Sequence, residues 1–136
     1  MMSNIRVTST GLYSWLSGNA QRGDACLEIS RQTRDEIGLR INGKNSYTPV
    51  DLTVSQAEEL VEALKTGTDV VFQTVSPYGT TTITLTVTHE KDDIVFLARF
   101  RNSLDGYAVS YGEVDDMIKI LTIAIDITVK DLQTTV

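Results

Sequence analysis

Thr53-Val54-Ser55-Gln56-Ala57-Glu58-Glu59-Leu60-Val61-Glu62-Ala63-Leu64-Lys65-Thr66-Gly67 is the stretch from which the fold can be read. Thr53 suits a helix N-cap and Gln56 stands three positions later, the spacing at which a hydroxyl and an amide form a capping box. Val54, Ala57, Leu60, Val61 and Leu64 recur at intervals that a 3.6-residue helix gathers onto one face. Glu58, Glu59 and Glu62 fall on the opposite side, and Gly67 follows where a left-handed residue closes the last turn.

The pattern returns 57 positions downstream. Thr53 maps to Ser110 and Gln56 to Glu113, while Ala57, Leu60, Val61 and Leu64 map to Val114, Met117, Ile118 and Leu121. The acidic pair Glu58-Glu59 lands on Asp115-Asp116, and Ile37, Leu39 and Ile41 land on Ile94, Phe96 and Ala98. Further upstream the shift is 58, taking Leu27 and Ile29 to Leu85 and Val87, as one residue lost in a turn would produce. Periodicity alone does not bring caps, core stripes and acidic pairs into one register. The chain is therefore read as one α+β domain, residues 1–136, holding tandem β-β-β-β-α repeats at 11–67 and 69–129, with antiparallel sheets packed on two helices.

Strands are predicted where apolar and polar residues alternate. Ile5 and Val7 make a short lead strand, residues 12–16 a second, and Leu27 and Ile29 mark a third after the polar turn at 17–24. Asn42-Gly43 is expected as a tight turn into a strand near 47–50, because both residues tolerate positive φ. In the second half, 70–75 and the stretch around Ile83, Leu85 and Val87 are strands, joined by the turn sequence Ser76-Pro77-Tyr78-Gly79. Residues 94–101 form the most apolar strand, and Asp105-Gly106 is expected to turn the chain into 107–109. Leu121, Ile123, Ile125, Ile127 and Val129 alternate like a strand, yet no glycine or proline separates them from the well-capped helix start. A helix running to about Val129 is the preferred reading.

The repeated order of elements, from about Leu12 to Leu121, resembles the topology of whirly and PUR-repeat proteins. The resemblance carries no sequence motif. It implies a sheet surface of the kind on which members of that group bind single-stranded nucleic acid.

Composition sets the bounds on function. The chain has 136 residues with 12 basic and 18 acidic side chains, a formal charge of −6 that repels polyanions at long range. Cys26 is the only cysteine, no apolar run approaches the length of a membrane span, and the N-terminus shows no apolar signal region. A reducing cytoplasmic setting is expected.

Three surfaces are candidates for binding. The first is a basic sheet face of Arg31, Arg40, Arg99 and Arg101, with Arg34 and Lys44 in adjoining turns and Tyr13, Trp15, Tyr47 and Tyr107 nearby. Arginine pairs with phosphate and aromatic faces stack bases, a combination suited to a short single strand or a nucleotide. The ordinary alternative is a solvated face whose arginines pair with carboxylates. The second is the acidic helix face of Glu58, Glu59, Glu62, Asp115 and Asp116, able to dock a basic partner, or merely to complement the helix dipole. The third is Val95 and Leu97, which become an apolar partner or homodimer patch if only one sheet face is covered, and core if both are.

Chemistry is not encoded in any recognisable motif. His89, the sole histidine, is read as solvent-exposed beside a turn, and Cys26 as a packing residue. No cofactor or metal is implied, since one histidine and one cysteine cannot build a zinc site and no glycine-rich phosphate loop exists. The sequence favours a non-enzymatic protein that acts through its surfaces, such as a small regulator or inhibitor of another macromolecule, including the kind of acidic protein that phages direct against host defences. The alternative is binding of single-stranded nucleic acid or a small nucleotide on the sheet.

Overall fold

Thr53 takes extended backbone angles and its hydroxyl accepts from the Gln56 N–H at 3.1 Å, while the Gln56 side chain accepts from the Thr53 N–H at 3.0 Å. The capping box therefore forms, and helix α1 runs Val54–Thr66 to a left-handed Gly67 at φ 72°. The computed structural model describes residues 5–18, 25–43, 47–75, 79 and 81–134. Ahead of α1 lie β1 (Arg6–Val7), β2 (Tyr13–Gly18), β3 (Cys26–Ser30), β4 (Ile37–Asn42) and β5 (Tyr47–Leu52), a five-stranded antiparallel sheet in sequential order. Behind it lie β6 (Val70–Val75), β7 (Thr82–His89), β8 (Asp93–Phe100) and β9 (Ser103–Ser110), a four-stranded antiparallel sheet also in sequential order. A 3-10 turn, Tyr111–Glu113, then leads into α2, Val114–Thr134.

Strand alternation decides what is inside. Leu27, Ile29, Ile37, Leu39, Ile41, Val50 and Leu52 point inward from the first sheet. Phe72, Ile83, Leu85, Val87, Ile94, Phe96, Ala98 and Val109 do so from the second. All belong to one apolar cluster with the buried faces of both helices, where each fully buried Leu, Ile or Phe side chain contributes roughly 1.5–3 kcal/mol. The sheets meet along β4 and β5 on one side and β8 and β9 on the other; α1 packs against α2, β5 and β6. Helix α2 lies across β2, β3 and β4, on the first sheet. At 21 residues, α2 is long enough to bury Met117, Ile120, Leu121, Ala124 and Thr128 along one stripe. It resolves the ambiguous segment as helix and carries it five residues past Val129, to Thr134.

Four local expectations are corrected. Asp105-Gly106 is not a turn but the interior of β9; the chain reverses at Arg101-Asn102, with Arg101 in the left-handed region at φ 56°. Asp105 is buried there because its carboxylate accepts from Thr48. A Cβ on Gly106 would come within 2.6 Å of Leu97 Cδ2, the end of a side chain that can turn aside. Asn42 is the last residue of β4, paired with Tyr47, so the β4–β5 connection spans 43–46 and is longer than a two-residue turn. Ser110 makes no capping hydrogen bond, because the chain enters α2 through a 3-10 turn and the Ser110 hydroxyl donates to the Glu113 carboxylate at 3.2 Å. Glu58 and Glu59 lie beyond the first turn of α1, which holds no acidic residue, so the helix dipole does not account for them; Asp115 and Asp116 are in the first turn of α2. Further expectations, the polar turn beyond Gly18, the turn at Ser76-Pro77-Tyr78, the site residue Lys44 and the side chain of Tyr47, lie outside the described residues.

Candidate functional site

The outer faces of the two sheets differ in chemistry. On the first sheet the outward residues are tied together: Ser30 donates to Glu28 at 3.3 Å, Gln32 to Ser30 at 2.7 Å and Arg40 to Gln32 at 2.6 Å. Asp51 feels the Arg40 guanidinium as well, which pulls its carboxyl pKa down against the larger upward effect of burial. Polar contacts thus link the β3–β4 part of this face.

The second sheet presents rows read directly from its pairing. Val71, Thr86, Leu97 and Gly106 form one row across β6–β9, and Gln73, Thr84, Arg99 and Leu104 the next. Thr88, Val95 and Ala108 flank them on one side, with Val75 and Thr82 on the other. Val71 is 62% exposed, Val75 61% and Leu104 52%, too open for a face covered by a layer of its own chain. Charge enters this face with Asp93 at the start of β8 and with Arg99, which lies between Thr84 and Leu104. Threonine and valine suit such a pleated surface, but nothing in β-propensity requires exposed valine and leucine on it. Apolar residues grouped this way on one open face mark an interaction surface more often than single scattered ones do. Val95 and Leu97 are half-buried within it, Leu97 leaning over Gly106.

The basic residues do not converge on one open face. Arg31 donates to the Gly11 carbonyl at 3.1 Å and is paired with Asp131 near the end of α2, fastening that helix to the first sheet. Arg40 belongs to the polar network, and Arg34 is exposed in the loop before β4. Arg99 is exposed on the second sheet, and Arg101, in the turn beyond it, stacks 5.4 Å from the Phe100 ring centre. Trp15 and Tyr13 are buried in the core. Tyr107 faces inward from β9, its hydroxyl 2.8 Å from that of Ser17 on β2. Neither Trp15 nor Tyr107 thus presents a ring to the open side of a sheet. Alternation could have shown this: Trp15 shares parity with Tyr13 and Ser17 on β2, and Tyr107 with Asp105 and Val109 on β9.

On the helices, Glu58, Glu59, Glu62 and Asp115 are exposed, and Asp116 is half-buried. His89, expected to be solvent-exposed, is largely buried: its backbone N–H donates to Asp69 at 2.7 Å and its Nδ1 lies 3.2 Å from the same oxygen. Those two hydrogen bonds hold the Asp69 carboxyl below the usual carboxylate pKa. Cys26 is buried, with the Asn42 amide donating towards its sulfur at 3.2 Å. Among the described residues no group of three or more His, Cys, Asp or Glu could hold a metal ion, and no helix is long and apolar enough to cross a membrane.

A groove that sequence reading missed lies between the loop before β4, the end of β5, the start of α1 and β6. It is about 440 Å³ in volume, and Glu36, Asp51, Gln73 and Thr74 are among its walls. Its residues come from three separate stretches, 33–36, 51–56 and 73–75, so only the tertiary fold unites them. Comparison with protein-family models, with curated proteins and with solved structures gave no match to this chain.

Proposed function

We propose that the chain is a non-enzymatic binding protein, a regulator or inhibitor of another macromolecule, that docks a partner protein on the outer face of its second sheet. The carrying observation is the exposure of Val71, Val75 and Leu104 on the same sheet face as Val95 and Leu97. The partner presents a complementary apolar patch with basic surroundings, since the chain has 18 acidic against 12 basic residues and exposes Glu58, Glu59 and Glu62 on α1. A second copy carries the same net charge and is disfavoured at long range.

Duplication is part of this reading, and strand register supports it. Ile37, Leu39 and Ile41 pair with Leu52, Val50 and Thr48; shifted by 57, they become Ile94, Phe96 and Ala98 pairing with Val109, Tyr107 and Asp105. Leu27 and Ile29 pair with Ile41 and Leu39 as Leu85 and Val87 pair with Ala98 and Phe96. Thr48 and Asp105 are themselves 57 apart and hydrogen-bond at 2.7 Å, as equivalent positions would near an approximate twofold axis. Duplication leaves each half free to diverge, which fits two outer faces of different chemistry. The likeness to whirly and PUR-repeat topology stays at the order of elements and assigns no residue a role.

The test is capture of a partner from the native host by the purified chain, with variants as the readout. Val71→Lys and Leu104→Lys replace exposed side chains and should keep the fold while losing capture. Leu12→Lys, exposed elsewhere, should retain it. Capture that survives both sheet variants contradicts the proposal. Oligonucleotide titration separates the alternative: binding that weakens steeply with salt and is lost on Arg99→Ala would favour nucleic acid.

A further inference from the structure

We propose that α2 carries a second contact surface, which joins two copies of the chain through an antiparallel pair of α2 helices. The contact uses no residue of the second sheet's outer face and does not depend on that face docking a partner. Helix α2 buries one stripe, Met117, Ile120, Leu121, Ala124 and Thr128. A second stripe, Ile118, Thr122, Ile125 and Val129, follows at steps of four, three and four, the seven-residue repeat along which paired helices meet. Folding leaves this stripe only partly covered: Ile118, Ile125 and Val129 are half-buried and Thr122 is exposed.

The surface of the stripe is shaped to receive a side chain. Thr122, Ile125, Asp126 and Val129, with Ile123 beside them, line a hollow of about 310 Å³. The first four stand at positions i, i+3, i+4 and i+7, the set that surrounds a knob inserted by a facing helix. Thr122 does not stand in the way of a dry contact, because its hydroxyl donates to the Ile118 carbonyl at 2.7 Å and needs no water.

Charge identifies the facing helix as a second α2. Lys119 and Asp126 are exposed along the edge of the stripe, seven residues apart and opposite in sign. Lys119 makes no ion pair among the described residues, and Asp126 pairs with Lys130 at 3.2 Å on an exposed carboxylate that can accept a second donor. When two α2 helices run antiparallel about a twofold axis, Ile118 meets Val129, Thr122 meets Ile125, and Lys119 meets Asp126. The three pairings share a midpoint to within one residue, between 122 and 124, so one register satisfies them all and sets the hollow at its centre. A parallel pair would set Lys119 against Lys119 and Asp126 against Asp126. The charge of −6 on each chain opposes approach, but salt screens it beyond about 8 Å and leaves the local register to decide. Net repulsion and a contact of one helix pair keep the dimer weak, in the micromolar range.

Sedimentation equilibrium of the intact chain, over a concentration series through the micromolar range, should show monomer and dimer in exchange. Lys119→Glu and Asp126→Lys each set like charges together twice per dimer, and each should weaken association by roughly tenfold or more. Mixed in equal amounts, the two variants should associate with each other about as well as the wild-type chain does with itself, since each supplies the charge the other has lost. Thr122→Arg, at an exposed position in the hollow, should give monomer, and Val71→Lys, on the second sheet, should leave the dimer intact. Circular dichroism matching the wild type confirms that each variant is folded. A chain that stays monomeric throughout the series, a dimer that survives both charge variants, a mixture that fails to associate, or loss of the dimer in Val71→Lys would overturn the proposal.

Discussion

Thr48→Val is the sharpest probe of how the two sheets are joined. The substitution keeps the shape of the side chain and removes the hydroxyl that donates to Asp105 Oδ2 at 2.7 Å, between two buried residues. Water cannot replace that donor without opening the contact between β5 and β9. Withdrawing one hydrogen bond from a buried carboxyl group costs about 1–3 kcal/mol, whereas a surface threonine on an open sheet can be exchanged for valine within about 0.5 kcal/mol. For a chain of this size each kcal/mol moves the thermal midpoint by roughly 4 °C. Thr48→Val should therefore lower Tm by roughly 4–12 °C, while the control Thr86→Val, on the outer face, should move it by about 2 °C or less. Differential scanning calorimetry and urea titration at pH 7 would measure both. If Thr48→Val and Thr86→Val prove indistinguishable, the two sheets are not joined as described.

The two helix starts should respond unequally: Thr53→Ala breaks a formed capping box and should cost about 1 kcal/mol, while Ser110→Ala, with no capping bond to lose, should cost about half that or less. Trp15→Ala empties a fully buried site and should destabilise by about 3–5 kcal/mol, and the wild-type tryptophan should show blue-shifted emission poorly quenched by iodide. Asp51 has its pKa raised chiefly by burial, so its charge opposes folding above that raised value and ceases to do so as pH falls below the unfolded one; Asp51→Asn should raise Tm at pH 7 and lose that advantage near pH 3. Asp69 is the opposite case. Its pKa is lowered by His89, so it stabilises the fold above the unfolded carboxylate pKa and stops doing so as pH falls through the folded value, and Asp69→Asn should flatten that part of the acid limb of a Tm-versus-pH curve.

Local chemistry made much of the fold legible. The Thr53–Gln56 box and its apolar stripe announced α1, because caps and periodicity act within a few residues. Strand alternation placed Ile37, Leu39, Ile41, Ile94, Phe96 and Ala98 correctly in the core for the same reason. Asp105-Gly106 misled because the aspartate answers a hydroxyl 57 residues away, which no local pattern shows. Ser110 and Glu113 match a capping box in type and spacing, but a 3-10 turn changes which atoms face each other. Which sheet α2 covers, and whether a given strand face is open, depend on packing between distant segments. The same limit applies to sites: the second sheet's outer face could be suspected from Val95 and Leu97, whereas the groove of Glu36, Asp51 and Thr74 has no trace in any single stretch.

Hydroxyl-radical footprinting of the chain alone and bound to its captured partner would test the docking face most directly, since it reports exposed aliphatic side chains one by one. Val71, Val75 and Leu104 should lose reactivity in the complex, while Leu12 and Leu132, exposed elsewhere, should keep theirs. Protection of Leu12 or Leu132 with Val71, Val75 and Leu104 unchanged would contradict the account.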